Sequence, residues 1–227
     1  MRIAIIFTGH IRSWNVCKNN IMEMLNDKNH LVDVYIETYK EGFRPDYNVR
    51  NEHQEKILYE EKDILNMFDG FNVIKISIEN QNVNFSANDG QRHKIIKAYE
   101  TFSKCQENRE PYDLIVKSRM DLYFDEKINY ENILVECKEK SKLVLGSNVT
   151  DHMNDTFAIG TPENMKKYFN RFSITGDNSN YTSITNLGTK EKIIIEQKIV
   201  HHIVRLSLDR NKTKFVKCSF CGELPIN

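Results

Sequence analysis

Three short clusters in the sequence carry side chains able to handle an anion, a metal ion or a sugar. The first is Thr8-Gly9-His10-Ile11-Arg12, directly after an apolar run. A glycine there lets the backbone approach a ligand closely, and the planar guanidinium of Arg12 suits a phosphate. The second is Lys117-Ser118-Arg119-Met120-Asp121, with Asp125 just beyond, at the polar end of another apolar run. If that strand continues without a break, Lys117, Arg119 and Asp121 share one face, where three charges are costly to bury without partners or a ligand. Asp121 could take one position on Mg²⁺ or Mn²⁺, hard cations that prefer oxygen and share their shell with phosphates. Arg119 could neutralise the same phosphates or orient Asp121. The third cluster is Asp151-His152-Met153-Asn154-Asp155, ahead of a short apolar run; such groups could bind sugar hydroxyls or act as a general base. Each cluster has a plainer alternative: a strand-to-helix turn with a solvated arginine, an internal arginine–aspartate pair, and an Asx-rich turn.

Weaker candidates support these. Gln91 and Lys94 open a helix that precedes the Arg119 strand, so its N-terminal end could face an anionic ligand, the competing reading being solvated helix residues. Glu196 shares an apolar helical face with Ile199, Val200 and Ile203, and His201 and His202 close the same stretch; structural pairing and packing compete with a role in a site. Several chemistries lack their signatures. There is no G-x-G-x-x-G repeat and no G-x-x-x-x-G-K-[ST] loop, which disfavours dinucleotide oxidoreductases and P-loop NTPases. Ser/His/Asp hydrolysis lacks its G-x-S-x-G elbow, and nothing around Cys17 marks a nucleophile. The C-x-x-C at Cys218 and Cys221 has no second ligand pair adjacent, so reduced thiols are the simpler reading than a zinc site.

The elements that must position these clusters follow from hydrophobic patterning. Residues 2–8, 31–39, 71–78 and 112–124 read as strands, rich in β-branched and aromatic side chains. Helical stripes fall at 14–25, 52–68, 89–106 and 129–140, and Pro162 starts another ahead of Met165, Tyr168, Phe169 and Phe172. Short strands are expected at 143–145 and 156–159, a polar loop at 173–189, a last helix at 190–208 and a terminal strand at 215–220. Strands alternating with helices predict an α/β fold: a mainly parallel, Rossmann-like central sheet with helices on both faces and an irregular C-terminal half. A single domain over 1–227 is expected, with a change of character at about residue 125, after which strands shorten and loops lengthen. In an open sheet of this kind ligands bind beyond the carboxyl ends of the strands, where the first two clusters fall.

Composition narrows the partners. Thirty-two basic and 32 acidic residues give a formal net charge of zero, without the basic excess of a nucleic-acid binder. No apolar run approaches the ~20 residues of a membrane-spanning helix. The opening strand does not resemble a signal peptide, and five scattered cysteines do not make a disulfide framework, so a cytoplasmic protein is expected.

Five segments, RIAIIFTGHIRSW, DVYIETY, GQRHKIIKAYETF, YDLIVKSRMDLYF and NDTFAIGTPENMKKYF, occur in this order between residues 2 and 169, and the likeness they carry spans about residues 1–205. In that order and spacing the chain resembles GT-A-fold, nucleotide-sugar-dependent glycosyltransferases. It is similar to the small capsid-glycan glycosyltransferases of large algal (chlorella) DNA viruses and to related capsular-polysaccharide enzymes. The resemblance implies transfer of a sugar from a UDP- or GDP-sugar to a glycan or glycoprotein acceptor such as a viral capsid glycan in the host cytoplasm, with Mn²⁺ or Mg²⁺ as cofactor, about 1–125 as the nucleotide-binding half and about 126–227 as the acceptor-side half. It implies that Thr8, Gly9, His10 and Arg12 line the nucleotide site with Gln91, that Lys94 approaches the diphosphate, and that Arg119-x-Asp121 stands in for the D-x-D motif with Asp121 on the metal. Asp155 would lie by the donor sugar or acceptor as the catalytic carboxylate. The sequence departs from the family pattern in supplying one carboxylate where D-x-D supplies two. That departure favours, as the alternative, a non-catalytic nucleotide- or glycan-binding module of the same fold.

Overall fold

A computed structural model of the chain describes residues 1–11, 14–41, 58–80, 87–140, 143–145 and 156–173, and the backbone of strands at 201–209, 212–218 and 222–223. The fold is α/β, with a mixed, mostly parallel sheet and helices packed on both of its faces. In chain order the elements are β1 (Arg2–Gly9), α1 (Trp14–Leu25), β2 (Leu31–Tyr39), α2 (Glu61–Met67), β3 (Asn72–Glu79), α3 (Ala87–Gln106), β4 (Leu114–Arg119) and β5 (Leu122–Phe124). They continue as α4 (Tyr130–Lys140), β6 (Val144–Leu145), β7 (Phe157–Gly160), α5 (Pro162–Ser173), β8 (His201–Asp209), β9 (Lys212–Cys218) and β10 (Gly222–Glu223).

Among the described residues the main sheet runs β3-β2-β1-β4-β7-β6, the first four parallel, β7 antiparallel to β4 and β6 antiparallel to β7. The run Ile3-Ala4-Ile5-Ile6-Phe7 explains the central place of β1. An unbroken apolar strand is stable only when both faces are covered. Ile3, Ile5 and Phe7 face a core built with α1, α2 and α4, whereas Ala4 and Ile6 face α3 and α5. Near the carboxyl end of β1, Trp14 stacks on Phe68 with centroids 3.8 Å apart and donates from Nε1 to the Met67 carbonyl at 2.9 Å. That contact ties α1 to α2 beneath the turn that leaves β1. On the other face Tyr99 of α3 stacks on Phe169 of α5 at 4.4 Å. The two halves of the chain share these layers, since β7 and β6 extend the sheet begun by the first half.

Three expectations about the elements are corrected. The strand expected at 112–124 ends at Arg119, turns at Met120 and Asp121, and resumes as β5 in a second sheet, β10-β9-β8-β5. The helix expected at 190–208 is instead strand β8 over His201–Asp209, its earlier part lying outside the described residues. Val204, Leu206 and Leu208 alternate with Arg205, Ser207 and Asp209, a period of two that pairing with β5 and β9 selects over the helical one. His201 and His202 therefore sit opposite Phe124 and Tyr123 in a ladder, not at a helix end. The helix expected at 52–68 begins only at Glu61, behind Glu60, whose N–H donates to Asp63 Oδ2 at 2.9 Å, while Leu58 bridges Glu41.

Candidate functional site

Strand order reverses between β1 and β4: the chain moves from β1 outward to β2 and β3, then crosses back through α3 to β4 on the other side. In open α/β sheets such a reversal is where ligands commonly bind, beyond the carboxyl ends of the strands. The pairing register brings the first two clusters together there, with Thr8 of β1 directly opposite Arg119 of β4. Thr8 is buried. Gly9 has φ +104°, a backbone conformation that L side chains rarely adopt, and no described atom lies within 4 Å of where a Cβ would stand. The Gly9 carbonyl accepts from Thr38 Oγ1 at 2.8 Å, which fixes the end of β1 against β2.

Beside Gly9, the His10 ring lies 4.6 Å from that of Tyr39, and its Nδ1 is 3.1 Å from the Glu41 carbonyl. Tyr39 Oη donates to the Gly90 carbonyl at 2.8 Å, so the beginning of α3 is anchored at this same edge of the sheet. Gln91 follows, partly buried, and its Nε2 has no partner among the described residues. Lys94 is placed otherwise than expected. Its Nζ donates to Glu37 Oε1 at 2.7 Å, the Thr38 carbonyl at 2.8 Å and Glu79 Oε2 at 3.1 Å, and lies 4.3 Å from the Tyr39 ring centroid. The lysine is on the face of α3 that carries Ala98 and Phe102 at four-residue intervals, so it turns into the sheet rather than outward to a diphosphate. An ammonium with this many acceptors is a structural cation that ties α3 to β2 and β3.

Glu79 at the end of β3 completes that network by accepting from His93 Nε2 at 3.1 Å. Burial pushes its carboxyl up, but the charge and hydrogen bond of Lys94 and the contact with His93 outweigh it and hold it below the ordinary 4.5. A carboxylate depressed in the folded state contributes stability that is present above the unfolded value and is lost as pH falls through the folded one. Glu79→Gln is accordingly expected to flatten the loss of stability below about pH 4.5 in denaturation curves recorded across the acid range. An unchanged acid limb would remove Glu79 from that role. Glu79 also borders an open cleft of about 370 Å³ lined by Lys40, Tyr59, Glu60, Glu61 and Asn80 on the β3 side of the same edge.

The charged tip of β4 is built around a pair. Arg119 donates from Nε to Asp121 Oδ1 at 2.8 Å and from Nη2 to Asp121 Oδ2 at 2.5 Å, a bidentate contact made possible by the turn at Met120 and Asp121. The side chains are 15% and 2% exposed, respectively. Lys117 is fully buried and reaches the Thr156 carbonyl at 3.4 Å, which also accepts the Arg119 N–H at 3.1 Å. Thr156, next in sequence to Asp155, thus docks the start of β7 on the tip of β4. Arg12, Asp155 and the rest of the third cluster lie outside the described residues, as does Glu196.

Both oxygens of Asp121 accept from the Arg119 guanidinium, and among the described residues no three His, Cys, Asp or Glu side chains stand together as a candidate metal site. Sequence reasoning missed Glu37, Tyr39, Glu79 and His93. The signal for Glu37 was present: a carboxylate inside the buried run LVDVYIETY needs a cation partner. No protein-family model matches the chain, and no curated protein matches it. No helix of the described residues is long and apolar enough to cross a membrane.

Proposed function

We propose that this protein is a GT-A-type glycosyltransferase that moves a sugar from a nucleoside-diphosphate donor, UDP- or GDP-linked, to a glycan or glycoprotein acceptor. The reading rests above all on the register that sets Thr8, the residue before Gly9, opposite Arg119 at the point where strand order reverses. Sugar transfer develops positive charge at the anomeric carbon and negative charge on the departing diphosphate. A cationic group at a strand end, next to a glycine whose Cβ position is open, suits the diphosphate. In this reading Arg12 adds a second guanidinium to the phosphates, and Gln91 offers its amide from the first turns of α3. Asp155 acts on the acceptor hydroxyl or beside the sugar, adjacent in sequence to Thr156. Likeness of the five sequence segments to capsid-glycan transferases supports a polysaccharide or glycoprotein acceptor, in the cytoplasm of a host cell if the protein is viral.

The test is titration calorimetry with UDP and GDP, followed by donor hydrolysis across a panel of nucleotide sugars. Micromolar binding of one nucleotide together with slow donor hydrolysis is expected. Gly9→Ala should weaken that binding roughly tenfold and lower stability by about 1–2 kcal/mol, because a Cβ at a positive φ is strained and fills the approach to the backbone. Absence of binding by either nucleotide would sink the proposal. The paired state of Asp121 favours one alternative, a nucleotide-binding module without turnover. Tight binding with no hydrolysis of any donor would select it.

A further inference from the structure

We infer that the cleft beside β3 is a subsite for one neutral sugar unit of the acceptor glycan, recognised through its hydroxyl groups. The inference rests on the glycosyltransferase reading and deepens it by naming where part of the acceptor is held. The cleft's volume of about 370 Å³ is at the small end of the ~300–1,000 Å³ of small-molecule sites, but its lining is polar where most such sites are apolar. A sugar hydroxyl both donates and accepts, so a carboxylate and an ammonium side by side satisfy it. Glu79 and Lys40 supply that combination. Glu79 gives Oε2 to Lys94 and to His93, each at 3.1 Å, and its Oε1 has no partner among the described residues. Burial alone would raise its carboxyl, but Lys94 and His93 hold it below the ordinary value, so it accepts as a carboxylate at neutral pH. Lys40 Nζ likewise has no partner among the described residues. Tyr59 adds a phenol that burial keeps protonated, and its ring and Ile78 offer an apolar patch to the C–H groups of a sugar ring.

Backbone bonds set these groups in place in the empty protein. The Lys40 N–H donates to the Glu79 carbonyl and the Tyr59 N–H to the Lys40 carbonyl, both at 2.8 Å, and Leu58 bridges Glu41. Groups fixed in advance lose little freedom when a ligand arrives. Charge narrows the ligand. Glu60 lies 3.9 Å from Lys62 and Glu37 is paired with Lys94, which leaves Lys40 facing Glu61 and Glu79. A lining without cationic excess does not hold a diphosphate or a uronate, and hydroxyl groups remain as the chemistry it suits. Position fits an acceptor. β2 separates β3 from β1, so at a strand spacing of ~4.8 Å the cleft lies roughly 10 Å along the sheet edge from Thr8, a distance that a glycan of several units spans.

Saturation-transfer NMR on the full chain tests the subsite. The neutral probes are the methyl glycosides of glucose, galactose, mannose, xylose and fucose; methyl glucuronoside is the acidic probe and spermidine the cationic one. At least one neutral glycoside is expected to bind with a dissociation constant of about 1–10 mM, and to be undisturbed by uridine. Lys40→Ala and Tyr59→Phe should each weaken that binding roughly fivefold to tenfold and leave the affinity for UDP as it was, because neither Nζ nor the phenol hydroxyl bonds to a described residue. Lys40→Arg, which keeps a donor, should recover part of the loss. Preference for glucuronoside or spermidine would overturn the inference. Displacement of the sugar by uridine would do the same, by giving the cleft to a nucleoside ribose. So would unchanged sugar binding in both variants. No binding of a neutral glycoside by a protein that binds UDP or GDP would overturn the subsite and leave the proposed function standing. Failure to bind either nucleotide would overturn the proposed function and with it the acceptor role of the cleft.

Discussion

Replacing Lys94 by alanine is expected to destabilise the protein by about 3–5 kcal/mol, the cost of breaking a buried ion pair from one side. Lys94 and Glu37 are 1% and 2% exposed, so neither is rehydrated in the folded state. Without Nζ, Glu37 keeps among the described residues a 3.5 Å contact from Thr101 Oγ1, and the Thr38 carbonyl loses a donor. The ammonium also lies over the ring of Tyr39, whose hydroxyl anchors the start of α3. Lys94→Met/Glu37→Gln removes both charges and should recover most of the loss, because an uncharged pair carries no desolvation penalty. Urea denaturation of the three proteins measures this. A single variant of near wild-type stability whose diphosphate binding collapsed would show that Lys94 serves the ligand instead of the fold.

Arg119→Met should cost about 3 kcal/mol for the same reason, somewhat less than the full loss at Lys94 because Arg119 is partly exposed. The buried partner left behind is Asp121, and adding Asp121→Asn should restore stability without restoring diphosphate affinity. That separation of stability from binding distinguishes the two clusters. At Lys94 both partners are sealed, and the variant pair reports on folding alone. At Arg119 one partner is partly exposed at the strand end, and in the proposed reading the variant pair reports on the ligand as well. Equal recovery of stability and binding in Arg119→Met/Asp121→Asn would place the arginine with the structural cations.

Much of the first half was legible from local pattern. The runs that became β1, β2 and β3 are apolar on both faces or alternate, and α1 and α3 show their stripes; these signals need no distant partner to be read. Lys94 could have been assigned to the interior from its spacing to Ala98 and Phe102, but a lysine at a helix start reads as solvated unless its partner is known. That partner, Glu37, comes from another element, 57 residues earlier. The C-terminal strands were missed because Ile199, Val200 and Ile203 fit a helical stripe while 203–208 fit an extended one; the ladder to β5 and β9 decided for extension.

By itself the sequence determined the layered α/β class, the edge of the sheet at which polar residues gather, and the identities of Thr8, Gly9, Arg119 and Asp121 as its unusual members. Those properties are set by side-chain type and short-range period. Tertiary structure alone decided which of them meet: strand pairing set Thr8 against Arg119, the turn after β4 folded Asp121 onto its arginine, and α3 turned Lys94 inward. The physical reason is that a charge in a strand or helix is solvated, paired or ligand-bound according to what lies across the sheet from it, and register between distant segments fixes that neighbour only after the core has closed.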